Sequence, residues 1–507
     1  MKHGNFLVYA PLALLMAVYA AIRGMYLTYL PIWDGLVFYR DCILKNATIP
    51  FNPLNYNCAG HPSMAYTLLI GLPQYLNTHS VVPVHLMILV LSLLSVFAFN
   101  KILLKLSDQK RASAEILLLT AMFAFYPPFI GSSIMVTLDY GVFLFSVYFL
   151  YAVLYKRWTL AVFTGVCLVF TKEFGALFYL TVVAGIFVYL FVKGGVSEVK
   201  KIRRAWLVGS AAPLVFYGLY ILFMHFYGKP ALWIRSGTLS YHFGLILNGY
   251  TKAFLTGLFV LNFNWIMTVV IVTAGIAALF FRKIRSPAVI AVGVVLALNI
   301  YAGTRFVTWS PIRYYLYLYP LVFLLFYRSV FVVFRAKSVR IAILAVLFVL
   351  FFISDFRTID PVSKELYGTF RFGNHEMLCM SSVSGEWPGG CGIDQLVYNL
   401  EFTEFRTIFD RIYRHIGAAP LYEEFYPYDP GTLYTRLMKP PYSLQTSLHG
   451  MPIPEIAARY KTFYFVDYPW ITDKIALRRF MADYSVSKTL RFTDNGYAIQ
   501  VYKFERQ

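Results

Sequence analysis

The sequence predicts a polytopic α-helical membrane protein with a small soluble domain at its C-terminus. The 507-residue chain is 59% hydrophobic and 14% charged, with a mean hydropathy of +0.61. Soluble domains carry about 25% charged residues. Long apolar runs recur in residues 1–354, whereas residues 355–507 have a mixed composition. The 40 tyrosines, 46 phenylalanines and 8 tryptophans suit the aromatic belts of membrane–water interfaces.

Eleven apolar runs predict about eleven transmembrane helices, because a span of roughly 30 Å of hydrocarbon needs about 20 helical residues. The fifth and the eleventh run are short for a span. Residues 62–78 are interrupted by Pro73 and predict a helix that lies in the interface instead. The runs lie at 5–22, 87–104, 114–130, 140–155, 158–171, 174–192, 205–224, 254–281, 286–302, 314–334 and 341–354.

The basic residues between the runs predict the orientation. Before residue 355, the loops on the N-terminal side carry about twice as many lysines and arginines as the loops opposite, which places the N-terminus in the cytoplasm. The first run is expected to remain as an anchor in a multi-pass protein of the plasma (inner) membrane. A net charge of +20 could suggest a nucleic-acid partner, but that interpretation needs a basic face on a soluble domain. Here the basic residues lie between apolar runs, so we predict no nucleic-acid partner.

Two segments outside the membrane are large enough to matter. Residues 23–86 form a long first loop, and residues 355–507 are enough for a domain with its own core. Within that domain, 461–468 and 496–505 have the pattern of strands, and 393–417 has the pattern of a helix. We therefore predict a small α/β or α+β domain outside the membrane.

The cysteines agree with this orientation. Cys167 lies in a span, where packing is the expected role. The other four lie on the extracytoplasmic side as two local pairs, Cys42 with Cys58 and Cys379 with Cys391. Disulfides persist in oxidising compartments, so both pairs are disulfide candidates. Their spacing does not match a zinc site.

Ionisable residues next to the predicted spans gather on the extracytoplasmic side. Such groups are costly at this depth and persist where they pair or line a wet cavity. They therefore predict a cleft of mixed charge at the outer surface. Its candidate residues are Asp34, Asp41, His61, Asp139, Lys172, Glu173, Arg305 and Arg313.

These residue types together suit transfer from a lipid phosphate. A carboxylate can accept a proton from an acceptor hydroxyl, while lysine and arginine neutralise a departing phosphate. Each residue also has a structural alternative. Asp34 and Asp139 could cap helices, and Arg313 could reach the headgroups. Asp41 could pair with Arg40, Lys172 with Glu173, and His61 could be an ordinary loop histidine.

At these positions the chain resembles the GT-C superfamily of glycosyltransferases that use polyprenyl-phosphate sugars, which includes protein O-mannosyltransferases, aminoarabinose transferases and RgtA-like enzymes. The chain departs from the family pattern at Gly35, Ser63 and Glu173, where the family often has glutamate, proline and glycine. The matching elements, in order, are Asp34, "HPSM" from His61, "SSIMVTLD" ending at Asp139, "FTK" ending at Lys172, and Arg313 with Tyr314 and Pro320.

The resemblance implies a GT-C fold and an inverting transfer of a monosaccharide to a hydroxyl of a lipid, glycan or protein. Asp34 would be the general base, and Arg313 with Lys172 would stabilise the departing polyprenyl phosphate. Asp139 would orient a substrate or, with Asp34, hold a divalent cation such as Mg²⁺ or Mn²⁺. The remaining substrate-binding candidates are Asp41, His61, Glu173, Arg305 and Tyr314.

Two other classes compete with this interpretation. A transporter or flippase of a lipid-linked or anionic solute would favour polar sites at the bilayer midplane and two repeated halves. Here the charges lie at the outer edge, and no repeated halves are evident. A different membrane transferase, such as an oligosaccharide ligase, is the second alternative.

Overall fold

The computed structural model describes most of residues 6–356 and the main elements of the region after them, and the division into two domains at residue 355 stays a prediction. The described residues are 6–29, 31, 34–47, 49–52, 55, 61–77, 79–107, 109, 113–200, 204–226, 249–281, 286–306, 312–356, 360–372, 375–378, 407–409, 411–423, 448, 451–467, 474–494 and 496–506.

The first loop contains short helices, as the sequence predicts. Within the predicted segment 62–78, Met64–Gly71 form helix α4 and Leu72–Leu76 form a 3₁₀ turn, and the helix changes type where Pro73 removes a backbone donor. The elements up to this point are α1 (Phe6–Gly24), α2 (Asp34–Val37), a π-helical turn (Phe38–Leu44), α3 (Lys45–Ala47), α4 (Met64–Gly71) and the 3₁₀ turn (Leu72–Leu76).

Helices also cover each of the other predicted spans. They are α5 (Val82–Leu106), α6 (Ala114–Ala124), α7 (Pro127–Ser133), α8 (Leu138–Leu154), α9 (Trp158–Val169), α10 (Glu173–Lys200), α11 (Arg204–Phe226), α12 (Gly249–Phe259), α13 (Asn264–Phe280), α14 (Pro287–Phe306), a 3₁₀ turn (Ile312–Leu318), α15 (Tyr319–Val333) and α16 (Lys337–Ser354).

The polytopic helical class is confirmed, and the chain is an integral membrane protein. By length and composition, five described helices can cross a membrane, and α6 with α7 makes a sixth if the bent pair is one span. Five more apolar helices are 10–17 residues long. The figure of eleven spans stays a prediction.

Two predicted spans are interrupted. The run 114–130 bends by 49° between α6 and α7, where the ring of Pro127 fits the first turn of a new helix. The prediction of one span over 254–281 is wrong, because α12 ends before a turn in which Asn262 and Phe263 have φ values of 55° and 61°. Non-glycine residues seldom adopt this left-handed region. Asp360 stabilises the turn by accepting a hydrogen bond from the Phe263 amide.

The C-terminal region contains a small mixed sheet with helices, which agrees with the predicted α/β or α+β class. The strands are β1 (Thr369–Phe372), β2 (His375–Leu378), β3 (Leu421–Glu423), β4 (Thr462–Asp467), β5 (Tyr484–Asp494) and β6 (Tyr497–Arg506), and the helices are α17 (Pro361–Tyr367), α18 (Ile453–Arg459) and α19 (Ile475–Asp483). The mixed sheet has the order β3-β4-β6-β5, with β3 parallel to β4 and the other pairs antiparallel, and β1 and β2 form a separate antiparallel pair. The strands predicted at 461–468 and 496–505 are β4 and β6.

The sheet has an apolar side chain cluster on each face. Phe463, Phe465 and Phe504 share a core with α18 and α19. Val466 and Val501 belong to the core that continues into the membrane helices. Of the helix predicted over 393–417, the described part is helical at 407–409 and 411–416 and is followed by Gly417 with a φ of 62°. Residues 393–406 lie outside the described residues.

Two of the five cysteines, Cys42 and Cys167, lie among the described residues. Cys42 is disulfide-bonded, and Cys167 is free and half-buried. Cys58, Cys379 and Cys391 lie outside the described residues. The two predicted pairings therefore stay predictions.

Candidate active site

Three of the predicted residues meet in a buried ionic cluster. Asp139 lies in the first turn of α8, Lys172 in the turn between α9 and α10, and Arg313 in the 3₁₀ turn before α15. The Lys172 Nζ lies 2.6 Å from Asp139 Oδ1, and the Arg313 Nε lies 3.6 Å from Oδ2. All three side chains are at least 92% buried. Two cations thus share one carboxylate.

Aromatic rings hold the cations in place. The Lys172 Nζ lies 4.1 Å from the centroid of the Tyr314 ring, and the Arg313 Cζ lies 5.5 Å from the same ring. A ring face attracts cations, and the attraction is stronger where water is excluded. Burial is the largest single influence and lowers the pKa of the Lys172 ammonium, but the charge and hydrogen bond of Asp139, together with Tyr314 and Glu173, outweigh it and raise this pKa overall. Lys172 is therefore positively charged at neutral pH.

Glu173 pairs with His61 instead of its neighbour Lys172. The His61 Nδ1 lies 2.9 Å and 3.1 Å from the two carboxylate oxygens, and both side chains are about 30% exposed. Next to this pair, the Ala65 amide donates to the Phe170 carbonyl oxygen at 2.9 Å. These bonds attach the predicted interfacial helix α4 to the turn that carries Lys172.

The backbone that carries Asp34 lies against the turn before Asp139. Asp34 is the first residue of α2, and its side chain lies outside the described part of the structure. A Cβ added to Gly35 would lie 3.2 Å from the Val136 amide nitrogen. The absence of a side chain at Gly35 therefore allows this close approach between α2 and the residues just before α8.

The buried side chain of Arg23 links the chain before α2 with the chain before α8. Arg23 donates from Nη2 to the Ser133 carbonyl oxygen and to His85 Nδ1. Because His85 accepts at Nδ1, its Nε2–H donates to the Tyr29 carbonyl oxygen at 2.7 Å. Through Arg23 and His85, these bonds connect Tyr29, which precedes Asp34 by five residues, with Ser133 at the end of α7.

Of the remaining predicted residues, Asp41 stands apart from the cluster. Asp41 accepts two hydrogen bonds from Arg40, at 2.7 Å and 2.8 Å, and is 44% exposed. This is the structural alternative considered for Asp41, and no described contact joins it to Asp139. The side chain of Arg305, like that of Asp34, lies outside the described part of the structure.

The overall fold is similar to that of two solved structures. They are crystal structures of ArnT from Cupriavidus metallidurans, one in the apo state and one bound to undecaprenyl phosphate. The apo structure has a TM-score of 0.57 and 11% identity over 97% of both chains. The bound structure has a TM-score of 0.56 and 11% identity over 98% of both chains. The chain therefore has a fold similar to that of these two ArnT structures. No family model and no curated protein matches the sequence.

The contacts of Asp139 do not suit the divalent cation considered for it together with Asp34, whose side chain lies outside the described residues. One carboxylate oxygen of Asp139 contacts the Lys172 ammonium, and the other faces the Arg313 guanidinium. A metal ion at these oxygens would be repelled by both groups. Among the described residues, no group of three or more His, Cys, Asp or Glu side chains could hold a metal ion.

The sequence interpretation missed two side chains near the ionic cluster. Thr137 directly precedes α8, and Tyr317 lies in the same 3₁₀ turn as Arg313. Both hydroxyl groups are buried and have no hydrogen-bond partner among the described residues. The i, i+3 spacing from Tyr314 to Tyr317 is the sequence signal that could have indicated the second, because such residues share one face of a 3₁₀ turn.

Proposed function

We propose that the chain is an integral membrane glycosyltransferase that moves a monosaccharide from a polyprenyl-phosphate donor to an acceptor hydroxyl. The observation that carries the proposal is the buried cluster in which Lys172 and Arg313 share the Asp139 carboxylate. The GT-C-like fold supports it, since one neighbour with this fold was crystallised with undecaprenyl phosphate.

The cluster suits an anionic lipid headgroup. Two buried cations beside one carboxylate leave an excess of positive charge among these three groups. Charged groups inside a membrane protein are stabilised by pairing with opposite charges. A phosphate that enters between Lys172 and Arg313 would take over part of the role of Asp139. Arginine suits this task because its planar guanidinium can donate two hydrogen bonds to one phosphate.

In the proposed reaction, the Asp34 carboxylate accepts the proton of the acceptor hydroxyl. The hydroxyl oxygen attacks the anomeric carbon, and the bond from that carbon to the phosphate oxygen breaks. The polyprenyl phosphate leaves with the electron pair, and the new bond forms on the opposite face of the sugar. One carboxylate base and a separate phosphate clamp suit this single inverting displacement.

Charge on the departing phosphate rises as the bond breaks. Lys172 and Arg313, already fixed by Asp139 and by the Tyr314 ring, stabilise that charge without rearranging. Preorganised groups of this kind supply much of the rate enhancement in many enzymes. The basic residues of the opposite loops place this site, and the C-terminal domain, on the extracytoplasmic side in our proposal.

The experiment is a transfer assay with a panel of radiolabelled polyprenyl-phosphate sugars. Membranes containing the wild-type protein should release labelled sugar to water or to an acceptor, and Asp34→Asn should abolish that release. Arg40→Gln is the control, because Arg40 contacts Asp41 and is outside the cluster. Full activity of Asp34→Asn would disprove the base assignment. Transport of a lipid-linked solute without any turnover would favour the flippase alternative.

A further inference from the structure

The buried Arg23 side chain carries a positive charge that no described carboxylate balances. It is 0% exposed. Among the described residues, its hydrogen bonds go to the hydroxyl and carbonyl oxygens of Ser133 and to the His85 ring, and none of these groups is negative. A guanidinium stays charged in proteins, and a buried charge without an opposite charge beside it is strongly unfavourable. An anion next to Arg23 would supply the missing charge.

Part of the Arg23 guanidinium is available for such a ligand. Its Nε and Nη2 atoms make the bonds to Ser133 and His85, whereas Nη1 is buried and has no hydrogen-bond partner among the described residues. Nη1 carries two N–H donors. Buried donors normally have a partner in the protein or in ordered water. Two strong donors of one cation are therefore left for a ligand.

Two tyrosine hydroxyl groups add further donors beside Arg23. Tyr19 precedes Arg23 by four residues on α1, so the two side chains share one face of this helix. Tyr66 comes from the interfacial helix α4. Both tyrosines are 0% exposed, and both hydroxyl groups lack a hydrogen-bond partner among the described residues. Both also lie close enough to Arg23 to interact with its charge.

Packing fixes the positions of these hydroxyl groups. The Tyr19 ring stacks on Phe129, with centroids 5.8 Å apart and planes at 25°. The Tyr66 ring lies so close to α8 that a Cβ added to Gly141 would clash with it. It also meets Phe145 edge-on, with centroids 6.5 Å apart and planes at 90°. Neither tyrosine can turn its hydroxyl toward water without losing these contacts.

A third tyrosine near Arg23, Tyr140, shows what a satisfied hydroxyl looks like here. The Ser92 hydroxyl donates its one hydrogen to the Ile88 carbonyl oxygen at 2.7 Å. The Tyr140 hydroxyl, 2.6 Å from Ser92 Oγ, is therefore the donor of that bond. The uncommitted groups of Arg23, Tyr19 and Tyr66 can all donate. A water molecule could accept from them but would leave the charge of Arg23 unbalanced.

We infer that Arg23 Nη1 and the hydroxyl groups of Tyr19 and Tyr66 bind one small monovalent anion of the chloride class. The three side chains are fully buried, so the space suits a single ion and not a phosphate ester. The bound anion connects α1 with α4, whose Ala65 amide is bonded to the Phe170 carbonyl oxygen. This site does not depend on the proposed function, because it uses none of the residues assigned to transfer.

The test is thermal unfolding of the purified full-length protein in detergent, with sodium gluconate replaced stepwise by sodium chloride at constant ionic strength. The midpoint should rise with chloride concentration and level off as the site fills, because a ligand that binds only the folded state stabilises it. Bromide should act like chloride, whereas gluconate is too large to enter. A midpoint that is the same in chloride and gluconate would overturn the inference.

Two conservative variants test the donors without removing a described bond. Tyr66→Phe and Tyr19→Phe each remove a hydroxyl that has no partner among the described residues, so neither should lower the midpoint in gluconate. Each should raise the chloride concentration of the half-maximal effect about tenfold or more, because a hydrogen bond to a charged group is lost. Arg23→Met should abolish the chloride effect. An unchanged chloride dependence in all three variants would indicate a general salt effect and contradict the site.

Tyr140→Phe is the matched control. Its hydroxyl is buried in the same part of the protein but is bonded to Ser92. The variant should lower the midpoint in both salts and keep the wild-type chloride dependence. A loss of chloride dependence in this variant equal to that of Tyr66→Phe would mean that packing, and not an uncommitted donor, produces the effect, and the inference would be wrong.

A second measurement identifies what balances Arg23. Broadening of the chlorine NMR signal by the wild-type protein, reversed by added bromide and weakened in Tyr66→Phe, would support the anion directly. The Asp34 carboxylate is the other possible occupant, because its side chain lies outside the described residues. In that case the wild-type protein would show no specific chloride effect and Asp34→Asn would gain one, which would overturn the inference.

Discussion

Two buried aspartates of this protein, Asp139 and Asp360, are stabilised in opposite ways. Asp360, 1% exposed, accepts from the Phe263 amide, the Trp265 indole, the Val362 amide and the Ser363 hydroxyl, at 2.6–3.1 Å. All four donors are neutral. Asp139, 6% exposed, faces two cations instead.

The difference separates a structural carboxylate from a functional one. Four neutral donors satisfy Asp360 in place and connect the start of α17 to the turn between α12 and α13. The partners of Asp139 are an ammonium and a guanidinium group, which can also donate hydrogen bonds to an anion that binds beside them. Among the described residues, the Thr137 and Tyr317 hydroxyl groups have no hydrogen-bond partner, and Thr137 precedes Asp139 by two residues. Mutation of Asp360 should therefore affect stability alone, whereas mutation of Asp139 should affect both stability and function.

The largest effect is expected from Asp139→Ala. The substitution leaves Lys172 and Arg313 buried without their carboxylate, which should cost roughly 3–5 kcal/mol of stability. Thermal unfolding in detergent measures this loss, and the transfer assay should show no activity. The double variant Asp139→Ala with Lys172→Met should recover part of the stability, since one buried charge is removed, but no activity. Recovery of transfer would show that the cluster is only structural.

Asp360→Ala should have the next largest effect, on stability alone. It removes the partner of two buried N–H groups and the N-cap of α17, which we expect to cost about 2–4 kcal/mol. Transfer per folded molecule, measured below the unfolding temperature, should stay at the wild-type level. Ser363→Ala removes only one of the four donors and should cost less. A loss of activity without a loss of stability would contradict the distinction between the two aspartates.

Gly35→Ala tests whether the Asp139 turn positions the chain that carries Asp34. The added methyl group would press on the Val136 backbone, so we expect a cost of about 1–2 kcal/mol. Transfer should fall about tenfold, because small displacements of a reacting group are costly. Gly24→Ala is the control, since nothing lies within 4 Å of its added Cβ. Equal activity of the two variants would show that α2 tolerates the displacement.

The sequence predicts the parts of this fold that depend on local composition. Apolar runs are visible without any knowledge of their neighbours, and so all eleven predicted runs contain helix. The break between α12 and α13 could not be predicted in this way. It depends on a hydrogen bond to Asp360, 97 residues further along the chain, whereas the run itself is continuously apolar.

The same limit applies to the site. Asp139, Lys172 and Arg313 could be grouped because the predicted orientation puts each at the extracytoplasmic end of a predicted span. In the run "YYLYLYP", the i, i+3 spacing from Tyr314 to Tyr317 is the only sequence signal for Tyr317, and it does not show that its hydroxyl differs from those of the other tyrosines. In the structure they differ: the Tyr314 ring contacts Lys172, the Tyr319 hydroxyl donates to the Gly257 carbonyl oxygen, and the Tyr317 hydroxyl has no hydrogen-bond partner among the described residues. Only the packing of α10 against this turn distinguishes them.

Glu173 provides an intermediate case, with the smallest expected effect. The side chains of Glu173 and His61 are each about 30% exposed, so water and salt screen the interaction between them. Glu173→Gln should therefore cost less than about 1 kcal/mol of stability, and the cost should shrink at high salt. Thermal unfolding at low and high ionic strength measures this change, with Glu115→Gln as the comparison. Glu115 pairs with Arg340 at 2.7 Å and is 4% exposed, so its loss should cost more and depend less on salt. If Glu173→Gln instead destabilised the protein as much as Asp139→Ala, exposure would not be the property that separates these carboxylates.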